Sequence, residues 1–272
     1  MYLLATLSQM ARIIVKLGGG LITDKSLYRQ VRMNRIDAVS TTIKELRDLG
    51  HSVILVHGAG SFGHLESRKW RLSEGYNQDI AEDQKFAINR VRSDMDDLNE
   101  CVISSLMRTG VECEVLPPRE WATGVGIEFQ GDLEDFARSP VDPIPITFGD
   151  VVETTDHKKF GILSGDHIMV RLGCEMSDVS ACIFLLGDVD GLMDRPPNES
   201  GSVLLPTWKS DEDISESHNS DVDVTGGILL KVRCAARIAR DVEHVWLLNG
   251  TNPNRIIDVI TSGETIGTRI LH

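Results

Sequence analysis

Two apolar, β-branched runs in this chain end in glycine. Ile13-Ile14-Val15-Lys16-Leu17 leads into Gly18-Gly19-Gly20, and Val53-Ile54-Leu55-Val56 leads into His57-Gly58-Ala59-Gly60-Ser61-Phe62-Gly63-His64. Small residues let backbone N–H groups approach an anion closely, and a helix starting just beyond adds the positive end of its dipole. Each run therefore reads as a strand delivering a phosphate-binding turn, and two such turns suit a reaction in which two phosphates meet. One pair of like unit charges 4 Å apart already repels by about 4 kcal/mol at an effective dielectric of 20, so cations must sit between the anions. Lys16, at the end of the first strand, and Lys231, early in a helix opening with Gly226-Gly227, are the candidates for neutralising a transferred phosphoryl group. Lys25 follows a turn and reads equally well as surface or site. Asp166, in Ser164-Gly165-Asp166, stands at a helix start, where a carboxylate could simply cap the helix. His64 follows a glycine turn, where a lone histidine is more often structural than catalytic.

A third loop, Gly187-Asp188-Val189-Asp190-Gly191-Leu192-Met193-Asp194, follows another apolar run and offers carboxylates, backbone groups and a glycine turn. Its bland reading is an acidic turn after a strand. No GxxxxGK[ST] occurs anywhere, and Gly18-Gly19-Gly20 lacks the spacing of a dinucleotide fingerprint. His51, His157, His218, His244 and His272 show no ligand spacing, and no metal site built by the protein is expected.

Positioning these loops requires strands that alternate with helices. Apolar β-rich runs predict strands near 12–17, 52–57, 112–116, 143–147, 181–186 and 244–248, and 3.6-residue periodicity predicts helices near 34–49, 82–109, 166–174, 227–240 and 253–260. The alternation implies an α/β fold with a mainly parallel central sheet covered on both faces, an open three-layer αβα sandwich. Val151 to Ile162 reads as a hairpin around a polar turn. Pro196 to Asp221, rich in Ser, Asp, Glu and Pro, reads as a mobile loop. The first residues lack a basic stretch and are too short to span a bilayer, so 1–11 reads as a flexible extension, with Met10 an alternative start. Residues 12–272 read as one domain in two lobes, about 12–175 and 176–272.

The chain has 272 residues, 28 basic and 41 acidic, for a formal net charge of −13. That balance argues against nucleic-acid or anionic-membrane partners, and it means that local lysines must overcome an unfavourable global field to hold anionic substrates. The five cysteines are scattered, with no CxxC, which suits a reducing cytoplasm and neither a zinc cage nor a disulfide framework.

Taken in order, Lys16-Leu-Gly-Gly-Gly20, Asp24-Lys25, His57-Gly-Ala-Gly-Ser-Phe-Gly-His64, Ser164-Gly-Asp166, Asp188-Val-Asp-Gly-Leu-Met-Asp194 and Asp223-Val-Thr-Gly-Gly227 with Lys231 resemble the motifs of the amino-acid kinase superfamily. The resemblance runs from about Arg12 to Ile270. Within the superfamily the GSFGH segment is most similar to the isopentenyl phosphate kinases, which phosphorylate isopentenyl phosphate to isopentenyl diphosphate in isoprenoid biosynthesis by the mevalonate route. The resemblance implies ATP as phosphoryl donor with Mg²⁺, a small isoprenoid monophosphate as acceptor over the N-terminal lobe, ATP over the C-terminal lobe, and a cytoplasmic homodimer. It implies catalytic roles for Lys16, Lys25, His64, Asp166 and Lys231. It places the acceptor against Gly18, Gly19, Gly20, Gly58, Ala59, Gly60, Ser61, Gly63, His64 and Gly165, and ATP against Lys16, Gly187, Asp188, Asp190, Gly191, Asp194, Gly226, Gly227 and Lys231. Three residues depart from the pattern: Gly20 stands where many relatives carry serine, Ala59 replaces the middle glycine of HGGG, and His167 follows Asp166 in place of a second aspartate.

The long helix carries Phe86, Val91, Met95, Leu98, Val102 and Leu106 at near-helical spacing. Most of this stripe must pack on the sheet. By the resemblance, helices after the GSFGH segment wall the chamber for the isoprenoid tail, so Met95 and Leu98, mid-helix, are candidates for a length ruler. Two other readings stay open: a phosphonate kinase of the fosfomycin-kinase type, and a non-catalytic nucleotide or oxyanion binder of the same fold.

Overall fold

The computed structural model describes residues 10–24, 26–187, 189–209 and 227–272. In chain order the strands are β1 (Arg12–Leu17), β2 (Thr23–Asp24), β3 (Gln30–Val31), β4 (Ser52–His57), β5 (Cys113–Val115), β6 (Ala122–Thr123) and β7 (Gln130–Gly131). They continue with β8 (Ile144–Phe148), β9 (Asp150–Glu153), β10 (Phe160–Leu163), β11 (Val179–Leu186), β12 (Thr207–Lys209), β13 (His244–Asn249) and β14 (Thr268–Leu271). The helices are α1 (Gly19–Ile22), α2 (Met33–Asp48), α3 (His64–Lys69), α4 (Ala81–Arg108), α5 (Pro118–Trp121), α6 (Gly165–Glu175), α7 (Gly227–Ile238) and α8 (Arg255–Ser262).

One eight-stranded sheet runs β12-β14-β13-β11-β1-β4-β8-β5. The six strands from β13 to β5 are parallel, and β14 turns antiparallel against β13. The parallel strands are apolar on nearly every residue because both faces are covered. Ile13, Val15 and Leu17 pack with residues of α2, α4 and α8, while Ile14 packs on the other face with α6 and α7. Period-two alternation therefore sends Lys16 toward α6.

From β1 the chain moves through β4 to β8 and β5 on one side, and later returns beside β1 as β11 before continuing to β13 on the other. That reversal creates a crevice beyond the carboxyl ends of β1, β4 and β11, the place where open α/β sheets take ligands. All three glycine loops noted in the sequence leave from those ends.

The six expected sheet strands and five expected helices are present, as is the hairpin, formed by β9 and β10. Two strands of the main sheet, β12 at its edge and β14 beside it, escaped the sequence reading. β12 arises inside the stretch expected to be a mobile loop, where Thr207-Trp208-Lys209 pairs with β14 and buries Trp208. The last part of that stretch, 210–221, falls within residues 210–226, which lie outside the described residues, as do residues 1–9.

Candidate active site

Lys16 and Asp166 meet at the base of the crevice, Nζ to Oδ1, 2.6 Å apart. Lys231 reaches the same carboxylate from α7, 3.1 Å from Oδ2. Residues far apart in sequence thus form a triad of two ammoniums around one carboxylate. Ser164 places Asp166 by accepting from its backbone N–H at 3.2 Å as the N-cap of α6, so the Asp166 side chain is released from capping and turns to the lysines. Gly165 makes room for this arrangement, because a Cβ there would lie 3.1 Å from Lys16 Cε and 3.2 Å from Val56 Cγ1.

Lys16 is 3% exposed and Asp166 4%. Burial drives the Lys16 pKa down, Asp166 pulls it up and Lys231 pushes it down again, for a value of about 8. Burial opposes ionisation of Asp166, yet the two ammoniums outweigh it and hold the carboxyl below its ordinary value. Two ammoniums and one carboxylate leave an excess of positive charge in a poorly hydrated place, which is what an incoming polyphosphate would neutralise.

The first two glycine turns pack backbone to backbone. A Cβ on Gly19 would come within 2.6 Å of Gly60 Cα, and one on Gly58 within 2.9 Å of the Gly19 nitrogen. Gly60 is left-handed at φ 52°, whereas Ala59 has an ordinary negative φ, so the alanine that replaces glycine sits where a Cβ is harmless. Its methyl instead explains Gly63, where a Cβ would be 2.8 Å from Ala59 Cβ. The third loop joins them: a Cβ on Gly187 would lie 2.9 Å from the Gly20 carbonyl oxygen, and one on Gly18 would lie 2.8 Å from that of Leu185. Thr23, which the sequence reading passed over, stands between the two turns with its hydroxyl bonded to both.

Two histidines bound the second glycine turn and differ in kind. His57 is buried, stacks on Phe148 at a centroid distance of 5.0 Å, and places Nε2 3.2 Å from Asn99 Oδ1 and Nδ1 3.3 Å from the Gly58 carbonyl. Burial lowers its pKa to about 4, so it is neutral and supports the turn from below. His64 opens α3 and is exposed at the crevice end of the turn. His167 follows Asp166 in the first turn of α6, half-buried, with Nδ1 shielded from water and without a partner among the described residues. Burial lowers its pKa, against the pull of Asp166.

In the third loop the two described carboxylates, Asp190 and Asp194, already have partners in the protein. Asp190 Oδ1 accepts from Asn249 Nδ2 at 3.1 Å and pairs with Arg255 Nη1 at 2.6 Å, fastening the loop to the end of β13 and the start of α8. Asp194 accepts from the Val203 N–H at 2.8 Å and pairs with Arg195. Gly191 lies against Thr268, whose hydroxyl accepts from the Leu192 N–H and donates to the Leu205 carbonyl. Asp190 and Asp194 therefore shape the loop, a use that the acidic composition alone could not distinguish from contact with a nucleotide. Lys25, Asp188 and Gly226, also expected in the site, lie outside the described residues. Gly227 begins α7, four residues before Lys231.

The segment between β2 and β3 is latched to the long helix. The buried carboxylate of Asp94 accepts from the Tyr28 hydroxyl at 2.8 Å and faces Arg29 and Arg90, each 3.3 Å away. Arg29 also lies over the Phe62 ring, 5.5 Å from its centroid, so the latch reaches the GSFGH segment itself. Met95 and Leu98 are fully buried in the core beneath that segment, with Met95 Sδ 3.8 Å from where a Gly63 Cβ would stand. Neither presents surface to an open chamber. Tight packing between α4 and the sheet gives them the core role that their spacing equally allowed. Phe86, counted in the same stripe, is 68% exposed.

Among the described residues no group of three or more His, Cys, Asp or Glu side chains could hold a metal ion, and no helix is long and apolar enough to cross a membrane. All five cysteines are free thiols.

Residues 11–249 match the amino acid kinase family. Isopentenyl phosphate kinase of Thermoplasma acidophilum is 31% identical over 251 residues, covering 91% of this chain and 95% of that protein. Isopentenyl phosphate kinase of Methanothermobacter thermautotrophicus is 28% identical, covering 95% and 98%. Among solved structures, an isopentenyl phosphate kinase substrate complex superposes with a TM-score of 0.77 at 29% identity, covering 96% of this chain and all of that one.

Proposed function

This chain belongs to the amino acid kinase family, and from that premise we propose that it is an isopentenyl phosphate kinase, transferring the γ-phosphoryl group of ATP to isopentenyl phosphate. The observation that carries the reading is the triad of buried Lys16 and Asp166 with half-buried Lys231, at the ends of the strands that lead into two glycine turns packed against each other. A non-catalytic binder has little use for two ammoniums concentrated on one carboxylate at the base of the crevice. The two curated relatives described above are kinases of this one substrate, which favours the isoprenoid monophosphate over a phosphonate acceptor.

The acceptor phosphate rests against the turns at Gly18–Gly20 and Gly58–Gly63, in the lobe of residues 12–175, and ATP lies over the lobe of 176–272 against the loop after β11. An ionised oxygen of the acceptor attacks the γ-phosphorus. The bond to the bridging oxygen breaks, and its electron pair leaves with ADP. No proton needs removing. Lys16 and Lys231 face the group in flight, where negative charge spreads over the equatorial oxygens. Asp166 sets their spacing and favours the charged form of Lys16. His64 and Lys25 are assigned to the acceptor phosphate on the family pattern. Because their carboxylates are tied to Arg255 and Arg195, Asp190 and Asp194 serve by shaping the nucleotide loop. Mg²⁺ suits this site as an ion carried on the nucleotide's own phosphate oxygens, where it supplies charge neutralisation. The free thiols are compatible with a reducing cytoplasm, and a homodimer is assigned by family resemblance alone.

The experiment is a turnover assay with ATP and Mg²⁺ against isopentenyl phosphate, dimethylallyl phosphate, geranyl phosphate and fosfomycin. The highest kcat/KM should fall on isopentenyl phosphate. A preference for fosfomycin, or binding of ATP without turnover of any acceptor, would overturn the assignment.

A further inference from the structure

Thr23 closes the short helix α1, where its backbone N–H bonds back to the Gly19 carbonyl. Its hydroxyl donates to the same carbonyl at 2.7 Å. A threonine bonding back four residues is a commonplace of helix ends and by itself implies nothing. What sets this one apart is the third group. The same oxygen accepts the backbone N–H of Ser61 at 2.9 Å, from the other glycine turn, 38 residues away in sequence. The side chain is fully buried, and its β-branch limits χ1, so the oxygen is held in place.

The surroundings are built around that oxygen. Gly60 adopts φ 52°, and a Cβ there would collide with Thr23 Oγ1 and lie 2.6 Å from the Gly19 carbonyl oxygen. Gly58 and Gly19 touch through backbone alone. With the Ser61 N–H engaged by Thr23 and the Phe62 N–H by the Ala59 carbonyl, the amides of Gly19, Gly20, Ala59 and Gly60 are the ones left to an anion, none of them bonded to another of the described residues. The separation of these two sets of amides is fixed where one hydroxyl bridges them.

We infer that Thr23 is a positioning residue for the acceptor phosphate, its hydroxyl setting the gap between the two glycine turns. The inference rests on the kinase reading for the identity of the anion, and on the geometry alone for the clamp. Losing the hydroxyl would let the turns separate, weakening an acceptor that must touch both, while the loop after β11 and the lysine triad keep their places.

The test compares Thr23→Val, which keeps the shape and removes both bonds, with Thr23→Ser, which keeps the hydroxyl. Steady-state kinetics would be combined with hydrogen exchange at the Ser61 amide. Thr23→Val should lower kcat/KM for isopentenyl phosphate by about 10- to 100-fold, mainly through KM, with KM for ATP within about threefold, and should speed Ser61 exchange. Thr23→Ser should recover to within about threefold on both readouts. Wild-type acceptor kinetics in Thr23→Val, or a serine variant as impaired as the valine one, would overturn the inference. If Thr23→Val does not fold, Thr23→Ala is read by the same criteria. Should the wild type itself fail to turn over isopentenyl phosphate, the kinase reading falls separately and Ser61 exchange decides the clamp: faster exchange in Thr23→Val supports it, unchanged exchange overturns it.

Discussion

Asp166 and Asp94 are both buried carboxylates that face two cations, and they do opposite work. At Asp94 the cations are the guanidiniums of Arg29 and Arg90, both partly in water, with the Tyr28 hydroxyl completing the set. Arg29 is further engaged with Asp97, so its charge is spent on the protein's own acids. The arrangement joins the segment after β2 to α4 and asks for nothing more. At Asp166 the cations are ammoniums on flexible stems, Lys16 buried and Lys231 half-buried, and among the described residues neither ammonium pairs with another carboxylate. Arginine locks a fixed geometry with a planar fork, whereas lysine presents a point charge that can turn toward a moving phosphoryl group. A buried carboxylate between two cations is therefore no functional signature by itself; the type of cation and the unspent charge decide.

Changing each aspartate sharpens that contrast. Asp166→Asn should lower kcat by about 10³-fold, since removing one preorganised electrostatic element from a phosphoryl-transfer site typically costs 10² to 10³ and here both lysines lose their reference point. Thermal stability should change little, because Lys16, already poised near 8, can lose its proton when its counter-ion goes. Asp94→Asn should do the reverse, lowering stability by about 1–3 kcal/mol while kcat falls less than tenfold. Chemical denaturation and steady-state kinetics on the two variants check both halves. Equal effects on kcat would erase the distinction.

Gly60→Ala tests the acceptor side through its backbone. The left-handed φ and the collision with Thr23 and the Gly19 carbonyl should lower acceptor kcat/KM by about 10²-fold, with ATP binding by calorimetry kept within about threefold.

The pH dependence follows from Lys16. Its ammonium is needed in the transition state and its free-enzyme pKa is about 8, so kcat/KM should fall as pH rises through about 8. Bound polyphosphate stabilises the charged form, so the alkaline limb of kcat should lie at higher pH than that of kcat/KM. Stopped-assay profiles from pH 6 to 10 would show it, and a flat kcat/KM across that range would contradict it. His57, neutral with a pKa of about 4, should contribute no limb near the ordinary histidine value.

Smaller effects are expected away from the triad. Arg255→Ala frees Asp190 from its latch and should raise KM for ATP about three- to tenfold with kcat nearly unchanged. Ala59→Gly should alter kcat/KM by less than about twofold, since Ala59 is not left-handed and the change removes a single methyl packed against the core.

The sheet was legible because parallel strands buried on both faces are apolar without interruption, and because glycine loops mark their ends. β12 and β14 were missed for the converse reason: strands of three and four residues, one at the edge of the sheet and the other next to it, carry no such run. Lys16, Asp166 and Lys231 were each visible as a charged residue beside glycine, but their convergence came with the resemblance. The pairing of Asp190 with Arg255 and Asn249 was not legible, because composition cannot reveal what lies opposite a carboxylate. Thr23 left no trace in the sequence, since a threonine at a helix end is commonplace and its second partner belongs to another turn. Met95 and Leu98 show the limit of periodicity, which says that a face is buried and not what covers it.

The central claim is that Lys16 and Lys231 stabilise the phosphoryl group in transit more than they hold the nucleotide. Single-turnover measurement of isopentenyl diphosphate formation in Lys16→Met and Lys231→Met, with ATP affinity measured in parallel, tests it most directly. The account predicts that each variant loses about 10²- to 10³-fold in the rate of transfer while ATP affinity stays within about tenfold. Transfer at the wild-type rate with ATP affinity reduced in proportion to the lost charge would contradict it.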